Sequence, residues 1–400
     1  MTRTLLVVGH GMVGHRLVEQ VRALDTERTW RVVVVGEEHH PAYDRVGLSS
    51  YLDGKSKSDL TLVGADFLSD PRMDLVLGSP VVSVDRTARS VETAHGERIW
   101  YDALVLATGS RPFVPPVPGH DLPGCFTYRT FDDLDALRAA ASPGRPGVVV
   151  GGGLLGLEAA NALRLLGMRT HVVETAPHLM PAQLDAGAAH VLHRRVAELG
   201  LRVHCATATA SIEAGTDGAV RAVTLSDGTV LDADVVVFAA GVRPRDELAD
   251  AAGLERGERG GVVVDDLCRT ADERVWAIGE CACVQGRCHG LVAPGYRMAD
   301  SVARQLTGRT PEPFDGADTS TALKLLGVRI ATFGATRCDH GQALEAVFAE
   351  DTDRYAKILL RQDSGDLLGG ILAGDTGSWT ALRSLVGRRP PADLERLLLP

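Results

Sequence analysis

No Cys-x-x-Cys pair occurs anywhere in the 400 residues, so the dithiol spacing commonly used to relay electrons into disulfide substrates is missing. The seven cysteines are an odd number, scattered from Cys125 to Cys338 without a regular framework, as expected of reduced thiols in a cytoplasmic protein. Cys281, Cys283, Cys288 and His289 have metal-ligand composition, but Cys-x-Cys followed by Cys-His lacks an attested zinc spacing, and no metal site is expected. Basic residues are too few for a phosphate-tracking nucleic-acid surface: 42 Lys and Arg face 52 Asp and Glu, a formal charge of −10 with no long basic run. Long apolar runs are missing too. Val235 to Val242 falls far short of the roughly 20 residues that span a bilayer, and Met1 to Gly9 is too short for a secretory core. A cytoplasmic location without nucleic-acid or membrane contact is expected.

What the chain does have is glycine in a repeated setting. The first copy runs strand (Thr4 to Val8), turn (Gly9, Gly11, Gly14), helix (Met12 to Leu24), then a strand (Trp30 to Val35) ending in Gly36 and Glu37. The second runs strand (Gly147 to Val150), turn (Gly151, Gly153, Gly156), helix (Leu154 to Leu166) closed by Gly167, then a strand (Thr170 to Val173) ending in Glu174. Each copy is followed by a short apolar strand broken by glycine, Arg and Pro: Leu104 to Pro112 in the first, with Thr108, Gly109 and Arg111, and Val236 to Pro244 in the second, with Gly241. Arg274 to Ile278 is a further strand with no helix of its own, and it is expected to return to the first sheet.

A Gly-x-Gly-x-x-Gly turn between strand and helix turns tightly, admits a pyrophosphate against the backbone and lets the helix pack close on the strand. The helix N-terminus then stabilises the anion. An acid at the end of the next strand is placed to bind ribose hydroxyls, and Glu37 and Glu174 lie 28 and 23 residues after their first glycines. A carboxylate at Glu174 repels the 2′-phosphate of NADPH, so NADH is favoured, although Arg169 and His171 lie near in sequence.

These residues resemble the glutathione-reductase-like FAD/NAD(P) oxidoreductase superfamily, and within it are most similar to the N-terminal flavoprotein part of the NAD(P)H-dependent assimilatory nitrite reductase large subunit. The matching stretches are Gly9-His-Gly-Met-Val-Gly-His-Arg, Pro41-Ala-Tyr-Asp-Arg-Val-Gly-Leu-Ser-Ser-Tyr, Ala277-Ile-Gly-Glu-Cys-Ala, Gly290-Leu-Val-Ala-Pro-Gly-Tyr-Arg-Met-Ala and Leu323-Lys-Leu-Leu-Gly-Val. The resemblance implies an α/β fold with two Rossmann-like domains, the first discontinuous, plus a small C-terminal α+β domain. The boundaries expected are 1–112 with 235–316 for FAD, 113–234 for NAD(P)H and 317–400 for the C-terminal domain.

The FAD site is expected to use Gly9, Gly11, Met12, Gly14, Glu37, Arg45, Val81, Thr108, Gly109, Arg111, Gly279, Glu280 and Pro294. The NADH site is expected to use Gly151, Gly153, Leu154, Gly156, Glu174 and Gly241. Glu158 resembles the glutamate that lies beside the nicotinamide and flavin, and Ser50 stands where ferredoxin and rubredoxin reductases carry a lysine. The helix after Pro294 and Gly295 is expected to direct its N-terminus at the flavin pyrimidine.

The implied activity is hydride transfer from NADH to FAD. Electrons then pass to a separate acceptor protein, a nitrite or nitrate reductase component or an iron–sulfur carrier, with a small-molecule acceptor or a redox-sensing role as alternatives. Nitrite reduction itself is expected to need iron–sulfur and sirohaem centres that Met1 to Pro400 does not carry. Oligomeric state is left open.

Overall fold

A computed structural model describes residues 2–316, 320–337, 343–350, 353–391, 394 and 398. Cys338 lies outside them. The chain divides into two units, one of residues 1–111 with 242–317 and one of 112–241 with 318–400.

The first unit is built on a five-stranded parallel sheet in the order Val275–Ala277, Ala103–Leu106, Arg3–Val8, Trp30–Val35, Met73–Val76. The returning strand near residue 274 is thus at the edge of this sheet, paired with Ala103–Leu106. Within Arg3–Val8, residues 5–8 read as a continuous apolar run because both faces of a parallel sheet are covered, and Leu5, Leu6 and Val7 have no exposure. Helix Met12–Leu24 buries Leu17, Val18 and Val21 on one face. Asp25 ends it and starts the next strand, its two carboxylate oxygens accepting from Thr29 N and Trp30 N at 2.9 Å.

The second unit repeats the plan. Its parallel sheet runs Arg202–His204, Arg169–Val173, Pro146–Val150, Val235–Phe238, Cys125–Thr127. Both sheets share four consecutive positions in the same sequence order. The fifth is filled by a later strand in the first unit and by an earlier one in the second. Between its third and fourth strands each copy also makes a three-stranded antiparallel excursion, Val81–Asp85, Ser90–Thr93 and Arg98–Trp100 in the first and Thr209–Ala214, Val220–Leu225 and Val230–Asp232 in the second.

The expected boundary at residue 234/235 is corrected by pairing: Val236 lies beside Val148 and Cys125, so Val235–Phe238 is an inner strand of the second sheet. The chain returns to the first unit at Val242. The C-terminal segment is a five-stranded antiparallel sheet, ordered Thr321–Leu325, Val328–Gly334, Leu367–Ala373, Arg354–Arg361, Ala343–Glu350, with helix Trp379–Ser384 against it. It groups with the second unit rather than standing alone. Tyr355 packs where a Cβ on Gly187 would lie 2.3 Å from its ring. Its hydroxyl donates to Asp185 at 2.8 Å, and the buried Lys357 ammonium pairs with the same carboxylate at 3.0 Å.

Candidate functional site

In the first unit, Gly9 has φ +109°, and a Cβ there would lie 2.2 Å from the Ala107 carbonyl oxygen. Only glycine fits so close to the strand that closes the copy. Gly14, in the first turn of the helix, packs on Gly9 in the same way, with the Gly9 oxygen 2.2 Å from an added Cβ.

Gly11 differs. Its φ −86° and ψ −171° suit any residue, and an added Cβ would meet no atom of the described residues beyond its own neighbours within 4 Å. Nothing inside the protein requires glycine at Gly11, whereas a pyrophosphate approaching the backbone does. Met12 opens the helix, whose Gly11 N-cap supplies no side-chain hydrogen bond, so its first N–H groups are left for an anion.

The second unit repeats this geometry. An added Cβ on Gly151 (φ +118°) would lie 2.3 Å from the Ala239 oxygen, and one on Gly156 would press on the Gly151 oxygen. Gly153 again has open space and ordinary dihedrals, φ −75° and ψ −177°. Leu154 starts the helix, also without a side-chain cap. The residues of both turns therefore fit bound dinucleotides, and the middle glycine is the feature that tests it.

The two acids are not equivalent. Glu174 directly follows its strand and is buried; its carboxylate accepts from Gly152 N at 2.7 Å and Ala176 N at 2.8 Å. It braces the glycine turn from below, a role its sequence position alone does not reveal. In the first copy Gly36 occupies the corresponding place, because its N–H bonds the third strand as that of Glu174 does. Glu37 comes one residue later, half exposed and ion-paired with Arg245. The exchange is reciprocal: Gly36 lies against His10, while Gly152, at the position of His10, lies against Glu174.

Around the first turn, Thr108 Oγ1 donates to the Arg245 oxygen at 2.6 Å, and Arg245 N donates to Gly109 O at 2.9 Å. Ser110 donates to Glu280 at 2.7 Å. Gly109 (φ +69°) and, in the other unit, Gly241 (φ +110°) both need the left-handed region at the strand exit. Gly279 (φ +77°) and Gly295 close on Val13, where a Cβ on Gly295 would lie 2.5 Å from Val13 Cγ2. The helix carrying Gly295 starts at Val292, so Pro294 sits inside its first turn instead of before it. Arg111 pairs with Glu247 at the surface, and Val81 begins the antiparallel excursion.

Arg45, expected to meet the FAD pyrophosphate, forms a 2.5 Å ion pair with Glu38, which also accepts from Tyr43 at 2.8 Å. Burial opposes its charge, but Glu38 and Tyr43 hold its pKa above the ordinary value. Ser50 donates to Gly47 O at 2.5 Å, so its hydroxyl is engaged within its own loop. Glu158 is the fifth residue of helix Leu154–Leu165, beyond the first turn, which removes helix-dipole preference as a reason for an acid there.

Sequence reasoning passed over His10 and His15. His10 is buried, accepts from Ala42 N at 3.3 Å through Nδ1, and its Nε2 has no hydrogen-bond partner among the described residues; His15 Nε2 bonds Leu62 O at 3.0 Å. Leu62 N in turn bonds Ala42 O, so both rings brace the loop that carries Tyr43 and Arg45. Burial, then the neighbouring His15, pushes His10 down to about 3.

The family model of pyridine nucleotide-disulphide oxidoreductases matches residues 3–304. The chain belongs to the pyridine nucleotide-disulphide oxidoreductase family. It is 48% identical over 404 residues to the NAD(P)H nitrite reductase large subunit of Klebsiella oxytoca, with all of this chain covered. It spans 42% of that relative's length. The fold is similar to that of a ferredoxin reductase from Rhodopseudomonas palustris, with TM-score 0.83, 30% identity and 93% and 91% of the two chains covered. It is also similar to putidaredoxin reductase in its covalent complex with putidaredoxin, with TM-score 0.86, 25% identity and 99% and 95% coverage. No Cys-x-x-Cys pair occurs in its sequence. Among the described residues no helix is long and apolar enough to cross a membrane, and no group of three His, Cys, Asp or Glu side chains could hold a metal.

Proposed function

We propose that the chain is an NADH-dependent flavoprotein reductase of the cytoplasm, holding FAD in the first unit and NADH in the second and passing electrons to a separate redox protein. The carrying observation is the pair of middle glycines, Gly11 and Gly153, each with open space that nothing in the protein explains. When bound, the flavin supplies the hydride-accepting chemistry. The chain's own residues bind and orient. Gly9 to Gly14 and the helix N-terminus cradle one pyrophosphate, with Met12 at the helix start. Glu37, Val81, Thr108, Gly109, Arg111, Gly279, Glu280 and Pro294 line the rest of that site. Arg45, held by Glu38, contributes positive charge, and Ser50 holds its loop.

In the second unit Gly151 to Gly156, Leu154 and Gly241 take the nicotinamide dinucleotide, and Glu158 orients its reacting ring. NADH is preferred because a carboxylate at the strand end, Glu174, repels a 2′-phosphate. Neither nearby cation relieves this. Burial, His204, Arg202 and Arg169 push His171 down to about 4, leaving it neutral at pH 7, and Arg169 donates to Gly144 O at 3.0 Å. The acceptor is a protein carrier, a nitrite or nitrate reductase component or an iron–sulfur protein. The likeness to ferredoxin and putidaredoxin reductases supports a carrier, and the likeness to nitrite reductase its class.

Flavin content and NADH bleaching of Gly11→Val and Gly153→Val test the two sites separately. Gly11→Val should lose FAD with an unchanged circular dichroism spectrum, and Gly153→Val should keep FAD but resist NADH. Full flavin in the first variant, or normal reduction in the second, would overturn the corresponding site.

A further inference from the structure

Strands Ala282–Val284 and Arg287–Cys288 form a hairpin whose two-residue turn, Gln285 (φ +50°) and Gly286 (φ +75°), has both central residues left-handed. That is the type I′ turn that matches strand twist. The closing pair is Val284 with Arg287, and the next pair outward is Cys283 with Cys288, directly opposite each other. Hydrogen-bonded and non-hydrogen-bonded pairs alternate along an antiparallel ladder, and a two-residue turn closes on a hydrogen-bonded pair. Cys283 and Cys288 therefore hold the non-hydrogen-bonded position, where opposed Cα atoms lie about 4.5 Å apart and side chains are closest. A disulfide needs a Cα separation of about 4.4–6.8 Å.

The sulfurs follow the same logic. Both side chains rest on Gly261, where an added Cβ would lie 2.5 Å from Cys288 Sγ and 3.2 Å from Cys283 Cβ. Cys288 is exposed and also donates to Gly260 O at 3.3 Å, while Cys283 is buried at 3% exposure. Cys288 is the exposed residue of the pair and Cys283 the buried one. The parallel pairing of Val262–Val264 with Ala282–Val284 anchors the hairpin, so the juxtaposition is fixed by the sheet.

We propose that Cys283 and Cys288 are a reversible thiol–disulfide pair, oxidised by low-molecular-weight disulfides through the exposed Cys288. The Cys288 thiolate attacks one sulfur of the small disulfide, forming a mixed disulfide and releasing one small thiol. Cys283, losing its proton, then attacks Cys288 Sγ and releases the second. The protein gives up two electrons and two protons, and the small disulfide becomes two thiols. Partial burial of the thiol, then the nearby Cys283, Cys281 and Asp246, holds Cys288 above its ordinary pKa, so little of it is thiolate at neutral pH and the reaction accelerates with rising pH. The pair needs no bound cofactor, so its failure would leave the flavoprotein assignment standing.

The test is incubation of the intact protein with oxidised glutathione at neutral and at mildly alkaline pH, followed by thiol counting and peptide mass spectrometry. Cleavage after Arg287 puts the two cysteines on different tryptic peptides, Val275–Arg287 and Cys288–Arg297. The expected result is loss of two thiols and a cross-link between these peptides, formed faster at higher pH, reversed by dithiothreitol, retained in Cys281→Ala and absent in Cys283→Ser. A protein that keeps all its thiols, that carries glutathione on Cys288 without a cross-link, or that still cross-links in Cys283→Ser would overturn the proposal.

Discussion

Gly11→Ala and Gly14→Ala put the same methyl group into one turn, yet they are expected to act differently. The Gly14 methyl would drive into the Gly9 carbonyl, whereas the Gly11 methyl would meet no atom of the described residues beyond its own neighbours. Chemical denaturation should show Gly14→Ala losing about 2 kcal/mol of stability and Gly11→Ala less than about 1 kcal/mol, while flavin affinity drops in Gly11→Ala. His10 gives a second prediction at this scale. Unfolded, its imidazole binds a proton near pH 6.5; folded, only near 3. Between those values the unfolded chain holds more protons, so stability contributed by neutral His10 is complete above pH 6.5 and is lost as pH falls towards 3. His10→Asn keeps an acceptor for Ala42 N–H, and its stability should fall less steeply with acid over that window. Identical pH slopes in the two proteins would contradict the burial argument. Nothing in the sequence singled out His10, because what matters is its exchange of place with Gly36, visible only once both strands are paired.

The first helix of each copy was legible to within a residue, because glycine turn, apolar stripe and following strand all agree on its limits. The antiparallel excursions were not. Strands such as Arg98–Trp100 and Val230–Asp232 are three residues long, too short for an alternation to stand out. The start of helix Val292–Leu306 was misplaced because proline was taken as a boundary, although the first turn needs no donor from it. Helix Ala186–Glu198 carries the element-scale prediction. Its N-cap Asp185 accepts from Ala188 N at 3.0 Å and also holds Lys357 and Tyr355 of the C-terminal sheet. Burial opposes the Asp185 charge, but these partners hold its pKa below the ordinary carboxylate value. Its contribution is therefore present above that ordinary value and is lost as pH falls through the lower one. Asp185→Ala removes a cap and leaves the buried Lys357 ammonium only its longer pair with Glu345 at 3.7 Å, with an expected cost of about 2 kcal/mol. Urea midpoints should fall accordingly, and Asp185→Asn, which keeps the cap, should fall between it and the parent.

Over the whole molecule, duplication was readable from glycines, but its depth was not: two sheets share strand order, excursion and turn geometry. The unit boundary near residue 241 was displaced in the sequence reading because Val235–Phe238 is apolar enough for either sheet, and only its pairing decides. The site residues were readable where a backbone conformation demands glycine, and less so where a carboxylate's partner is far away in sequence, as with Glu37 and Arg245. The measurement that bears most directly on the proposed activity is anaerobic stopped-flow absorbance of the FAD-loaded protein mixed with NADH or NADPH, for the parent and Glu174→Ala. The account predicts rapid bleaching of the flavin by NADH, slower bleaching by NADPH, and a variant that loses more with NADH than with NADPH. A bound flavin that neither nucleotide reduces would contradict it.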